Sequence, residues 1–128
     1  MKQILYVIGC IFLLSCADNG RKNILENVSA KKAQAIIDES SVVVLDVRTE
    51  NEFRDGHIKN AININCQSSD FMDKIQNLDK STTYVLHCKS GGRSTFAINK
   101  MKELGFSTIY HMNGGMNEWA NNKLPIEK

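Results

Sequence analysis

The run "SVVVLDV", Ser41 to Val47, constrains the fold more than any other part of the chain. It is apolar, β-branched and continuous, with no polar residue alternating through it. A strand with one wet face shows alternation, so an unbroken run of this length reads as a strand buried on both faces. "TTYVLHC", Thr82 to Cys88, has the same character. "AININ" and "STIYHM" are shorter strand candidates. Between them lie segments of helical period. "NVSAKKAQAIIDES" has Ser29 as N-cap, with Ala33, Ile36 and Ile37 on one stripe. "SDFMDKIQNL" aligns Phe71, Ile75 and Leu78. "STFAINKMKELG" turns Ala97, Met101 and Leu104 inward and stops at Gly105, and "GGMNEWANN" is a last short helix. Strands that alternate with helices require crossover connections. The expected fold is therefore a three-layer α/β/α domain with a mainly parallel sheet of about five strands. At 128 residues there is room for one such domain.

The amino terminus differs in kind. In "MKQILYVIGCIFLLSC", Lys2 precedes an uncharged, mostly apolar run from Ile4 to Leu14, too short to span a bilayer as a helix but suited to a signal-peptide core. Its end, "LLSC", resembles a bacterial lipobox. That resemblance implies cleavage before Cys16, lipid on the Cys16 thiol, and a mature protein anchored in the bacterial cell envelope on the exported side of a membrane. Residues 1–15 are read as the signal peptide, 16–27 as the lipidated cysteine and a polar tether, and 28–128 as the domain. Cys10 leaves with the signal peptide, so Cys66 and Cys88 are the remaining thiols. In an oxidising compartment they are candidates for a disulfide, and Cys66 is otherwise a bystander or a resolving thiol.

A net charge of +2 gives no field that calls for nucleic acid or an anionic membrane surface. The cysteines and histidines lack the short paired spacing of a zinc site, so no metal and no cofactor are expected.

The chemistry concentrates in "CKSGGRS", Cys88 to Ser94, placed where a strand ends and a helix begins. In parallel sheets ligands sit beyond the carboxyl ends of the strands. Gly91 and Gly92 allow positive φ, so that successive N–H groups converge, and the helix start adds its free N–H groups and positive dipole end. Lys89 and Arg93 add charge. Ser90 and Ser94 can donate to a bound sulfur or anion, and Ser94 is equally a helix cap. Such surroundings lower a thiol's pKa, which makes Cys88 the candidate nucleophile and Lys89 to Ser94 the candidate substrate-binding loop.

Three stretches together resemble a single-domain rhodanese. "VVVLDVRTENEFRDGHIKNAININ" is similar to the amino-terminal signature through Asp46, Arg48, Glu52, Phe53, Gly56, His57, Ile58, Ala61, Asn63 and Ile64. "CKSGGRS" matches the active loop, and "NGGMNEWANNKLP" the carboxyl-terminal signature through Gly114, Gly115, Trp119 and Pro125. The resemblance implies sulfur transfer. Cys88 would take the outer sulfur of thiosulfate or a similar anionic donor as a persulfide and pass it to cyanide, a small thiol or a protein thiol. Similar cell-cycle phosphatases have one more residue in the loop; the four residues between Cys88 and Arg93 favour sulfur over phosphate. A phosphatase or arsenate reductase, and a non-enzymatic sulfur carrier, are the competing readings.

Around the loop the expected roles are structural. His57 ties down its turn, Asp46 and Arg48 form a buried ion pair, and Phe53 and Trp119 are core aromatics. His87 precedes the nucleophile but should point to the opposite face. Asn60, Asn65 and Lys123 depart from the family pattern. Asn60 and Asn122 are expected to supply left-handed backbone where glycines are missing.

Overall fold

The structure, a computed structural model, describes residues 23–128. The apolar amino-terminal run and Cys16, with the lipidation expected there, lie outside the described residues. Ten elements follow in order: β1 (Ile24–Val28), α1 (Ala30–Glu39), β2 (Val43–Asp46), α2 (Glu50–Asp55), β3 (Ile62–Asn63), α3 (Phe71–Gln76), β4 (Thr83–His87), α4 (Gly92–Glu103), β5 (Thr108–Met112) and α5 (Gly115–Asn121). The five strands pair in parallel in the order β1-β5-β4-β2-β3. Among the described residues no helix is long and apolar enough to cross a membrane.

Strand alternation splits the core into two layers. Leu45, Tyr84 and Leu86 face the side covered by Phe71 and Ile75 of α3 and by Ala97 and Met101 of α4. Val44 and Val85 face the other side, against Ala30 and Ala33 of α1 and Met116 and Trp119 of α5. The buried-run reading of β2 and β4 follows from this arrangement, since both lie inside the sheet with helices on each face. Ser29 caps α1 as expected, its hydroxyl accepting from the Lys32 N–H at 3.1 Å. Gly105, at φ +84°, follows the end of α4.

Two elements are not expected from the sequence. Residues 24–27, assigned there to the tether, belong to β1, so the folded domain starts before residue 28. β1 is an edge strand whose Ile24 and Leu25 are exposed, and its polar Glu26 and Asn27 break the pattern of a buried run. α2 is six residues long and buries none of them, so it has no apolar stripe. Its signal was the Thr49-x-x-Glu52 capping box, in which each residue satisfies the other's backbone N–H.

Two backbone positions correct the account of the missing glycines. Asn60 does take left-handed backbone, at φ 62°. Asn122 does not, at φ −84°; Lys123 itself adopts φ 55°, a costly conformation for a residue with a Cβ.

The end of β2 is organised by a buried charge. Asp46 is fully buried and Arg48 nearly so. The Arg48 guanidinium donates to Asp46 through Nε at 3.0 Å and Nη2 at 2.7 Å, and Nη2 also donates to the Gly56 carbonyl at 2.7 Å. Asn63 Nδ2 donates to the carbonyls of both Asp46 and Arg48, at 3.0 and 2.9 Å. The expected ion pair is present, and it ties β2, the α2–β3 turn and β3 together. Replacing Arg48 with Met strands the Asp46 carboxylate and is expected to cost about 3–5 kcal/mol in urea unfolding. The double variant Asp46→Leu/Arg48→Met should regain most of that loss.

Candidate active site

Cys88 follows β4, and the loop after it turns into α4. The Gly91 N–H donates to Cys88 Sγ at 3.0 Å, and the Ser94 hydroxyl lies 3.3 Å from the same sulfur. Burial of Cys88 (1% exposed) by itself raises the thiol pKa. The Ser94 hydroxyl and the backbone N–H groups of Ser94, Gly91 and Ser90 outweigh burial and bring it below the ordinary thiol value. The loop is thus a nest for sulfur.

Of the two loop glycines only Gly91 takes positive φ, at +110°, and a Cβ there would sit 2.5 Å from the Asn113 carbonyl oxygen. A Cβ on Gly92 would meet nothing within 4 Å, so the expected demand for glycine at both positions reduces to one. α4 begins at Gly92, with Gly91 as N-cap, and Ser94 is inside the first turn rather than capping it.

The carboxyl-terminal motif supports the loop from below. The Met116 and Asn117 N–H groups donate to the carbonyls of Cys88 and Lys89, at 2.9 and 3.0 Å. Gly115, at φ +61°, comes so close that a Cβ would lie 2.4 Å from the Lys89 carbonyl oxygen. This explains why "NGGM" accompanies the active loop although it contributes no reactive side chain.

Arg93 is placed differently from expectation. Its guanidinium makes a two-pronged pair with Glu52 of α2, at 2.6 and 2.9 Å, instead of standing free for a donor anion. The Arg93 hydrogen bond holds the Glu52 carboxyl at a pKa of about 2, with the Thr49 hydroxyl assisting against the effect of burial. Lys89 and Ser90 are exposed. Lys89 lines an open cavity of about 320 Å³ with Arg48, Glu52, Met116 and Asn117.

The histidines separate cleanly. His57 Nδ1 bonds the Phe53 carbonyl at 2.9 Å, its ring stacks on the half-buried Phe53 at 4.0 Å, and its backbone bridges to Glu127, so it does tie down its turn. Phe53 serves that stack rather than the core, whereas Trp119 is buried and donates to the Pro125 carbonyl. His87 is fully buried, with Nδ1 donating to the Cys88 carbonyl at 2.9 Å; burial depresses its pKa and keeps it neutral despite Asp46 at 3.7 Å. Cys66 and Cys88 are both free and buried, and burial raises the Cys66 pKa. No disulfide joins them.

A model of the Rhodanese-like domain matches residues 29–122. The chain belongs to the rhodanese-like domain family. Thiosulfate sulfurtransferase 16 of Arabidopsis thaliana chloroplasts is 34% identical, over 65% of this chain and 78% of its own length. The tRNA uridine(34) hydroxylase of Cytophaga hutchinsonii is 36% identical, over 65% of this chain but 28% of the relative, so the domain also serves as a module in larger proteins. A rhodanese-related protein from Thermoplasma volcanium superposes with a TM-score of 0.71 at 29% identity, covering 80% of this chain and 97% of that one. The three-layer architecture expected from the alternating elements is the rhodanese-like one.

The Glu52–Arg93 pair makes a pH-dependent contribution to stability. Its folded pKa of about 2 lies below the ordinary 4.5, so the stabilisation is full above pH 4.5 and is lost as pH falls toward 2. Urea midpoints measured across that window should drop for the natural chain and change less for Glu52→Gln.

Proposed function

We propose that this chain is a sulfurtransferase that carries sulfur as a persulfide on Cys88. The observation that carries the reading is the Cys88 sulfur, held by the Gly91 N–H and the Ser94 hydroxyl in surroundings that favour the thiolate. The sulfurtransferase name of one relative supports the same chemistry. The Cys88 thiolate attacks the outer sulfur of thiosulfate or a similar anionic donor. The donor's S–S bond breaks, its electron pair leaves with sulfite, and Cys88 keeps the sulfur. Cyanide or a thiolate then attacks the terminal persulfide sulfur and releases the Cys88 thiolate. N–H groups aimed at the sulfur are positioned to stabilise negative charge in both halves. With Arg93 paired to Glu52, exposed Lys89 is the cation available to steer the donor. The same proposal places the enzyme at the bacterial cell envelope, anchored through lipid on Cys16.

The intact mass of the purified full chain, taken before and after thiosulfate, tests the chemistry. A gain of about 32 Da that cyanide or a thiol removes, absent in Cys88→Ser, is expected. No gain in the reduced chain with any of several sulfane donors would overturn the reading, and turnover of an aryl phosphate would replace it with the phosphatase. For the anchor, Cys16→Ala is expected to move the chain from the membrane to the soluble fraction of the expressing cell.

A further inference from the structure

From Cys88, in the loop after β4, one hydrogen-bonded chain runs through three residues of three elements. Cys88 Sγ lies 3.3 Å from Ser94 Oγ of α4, Ser94 Oγ 2.6 Å from His111 Nε2 of β5, and His111 Nδ1 3.2 Å from Asn27 Oδ1 of β1. Asn27 and His111 are register partners across the β1–β5 ladder. His111 is buried, but with Asn27, Thr95 and Asn113 it lines an open cavity of about 260 Å³. We propose that His111, oriented by Asn27, is the proton acceptor for the Cys88 thiol, acting through the Ser94 hydroxyl.

The donor and acceptor count supports one direction of transfer. Asn27 Oδ1 can only accept, so His111 Nδ1 carries hydrogen and neutral His111 offers a bare Nε2. Ser94 then donates to Nε2, and the Cys88 thiol donates to Ser94 Oγ. Moving the proton breaks the S–H bond as an O–H bond forms on Ser94. Ser94's former O–H bond breaks as an N–H bond forms on His111. The products are a Cys88 thiolate, a neutral Ser94 and a His111 imidazolium. Every link is satisfied before and after, and no heavy atom has to move. The Gly91 carbonyl, 3.1 Å from Ser94 Oγ, competes for the Ser94 proton. It is already met by the N–H and hydroxyl of Thr95, at 3.0 and 2.8 Å.

The surroundings of His111 suit that task. Burial lowers its pKa, so it is a neutral base near neutral pH. Besides the Cys88 thiol, His87 on β4 is the ionisable group whose charge bears on His111, and burial lowers the His87 pKa as well. Asn27, Ser94, Thr95, Asn99 and Asn113, which contact it or line its cavity, carry no charge. The cavity gives the imidazolium an exit for its proton, separate from the Lys89 side where the donor would bind. His111 is a positioning residue, since it reaches the sulfur only through Ser94.

This inference rests on the sulfurtransferase reading for its purpose, but its test does not. The rate at which iodoacetamide alkylates Cys88 in the full chain is followed from about pH 4 to 9, with the Cys88 peptide resolved from Cys66 by mass. The natural chain is expected to rise in two steps, because the thiol and His111 titrate as a pair. His111→Gln keeps a donor toward Ser94 but cannot titrate, and should leave one step. Asn27→Asp sets a carboxylate against Nδ1 and should move the His111 step up by about one pH unit. A purely structural His111 would give neither change. Profiles of both variants that superimpose on the natural one would overturn the relay. Two steps without sulfur loading would remove the sulfurtransferase reading and leave the relay standing. Sulfur loading with superimposed profiles would do the reverse.

Discussion

The fully buried Asp46 carboxylate is the constraint from which the rest of the site follows. A carboxylate out of water at the end of a central strand demands a partner, and Arg48, two residues on, supplies it at 2.7 Å. To reach Asp46 the Arg48 side chain must fold back, and its second donation takes hold of the Gly56 carbonyl. The turn after α2 is thereby fixed against β2. From α2, Glu52 then meets Arg93 of the loop after Cys88. The buried charge pair so holds the turn that follows the helix whose Glu52 engages the loop's own arginine.

A second set of contacts acts from the other end of the chain. The N–H groups of Met116 and Asn117 fasten the carbonyls of Cys88 and Lys89, and Gly115 makes room for that approach. The loop is held between α2 on one side and the start of α5 on the other. Its N–H groups are thus aimed before any substrate arrives, and a group aimed in advance loses no free energy in reorganising when charge develops on the sulfur. The buried sulfur would otherwise favour the neutral thiol. Four donations tip it toward the thiolate, and the loop's rigidity keeps them in place.

The three stretches of this chain that resemble family signatures can be understood in these terms. The first builds the Asp46–Arg48 anchor and the α2 platform, the second carries the sulfur nest, and the third clamps the nest from below. Relatives named as a thiosulfate sulfurtransferase and a tRNA hydroxylase both match about two thirds of this chain, so the domain alone does not fix the substrate.

Much of this was readable along the chain, because it depends on local pattern. Continuous β-branched runs placed β2 and β4 in the interior, helical stripes placed α1, α3 and α4, and "CKSGGRS" at a strand-to-helix junction marked Cys88 and its loop. Asn60, a residue tolerant of left-handed backbone, was correctly expected to take it. β1 and α2 escaped because an exposed edge strand and a helix that buries nothing leave no apolar signature. The partners of charged and polar side chains were decided by tertiary structure alone. Arg93 and Glu52 are 41 residues apart in sequence, and Asn27 and His111 are 84 apart. A hydrogen bond depends on distance and direction in space, and no local pattern encodes either across such a separation. The sequence by itself determined that Cys88 and its glycine loop sit at the carboxyl edge of a parallel sheet. Only the folded chain decided that its arginine is already paired and that a histidine stands behind its serine, because both follow from which elements the sheet order brings side by side.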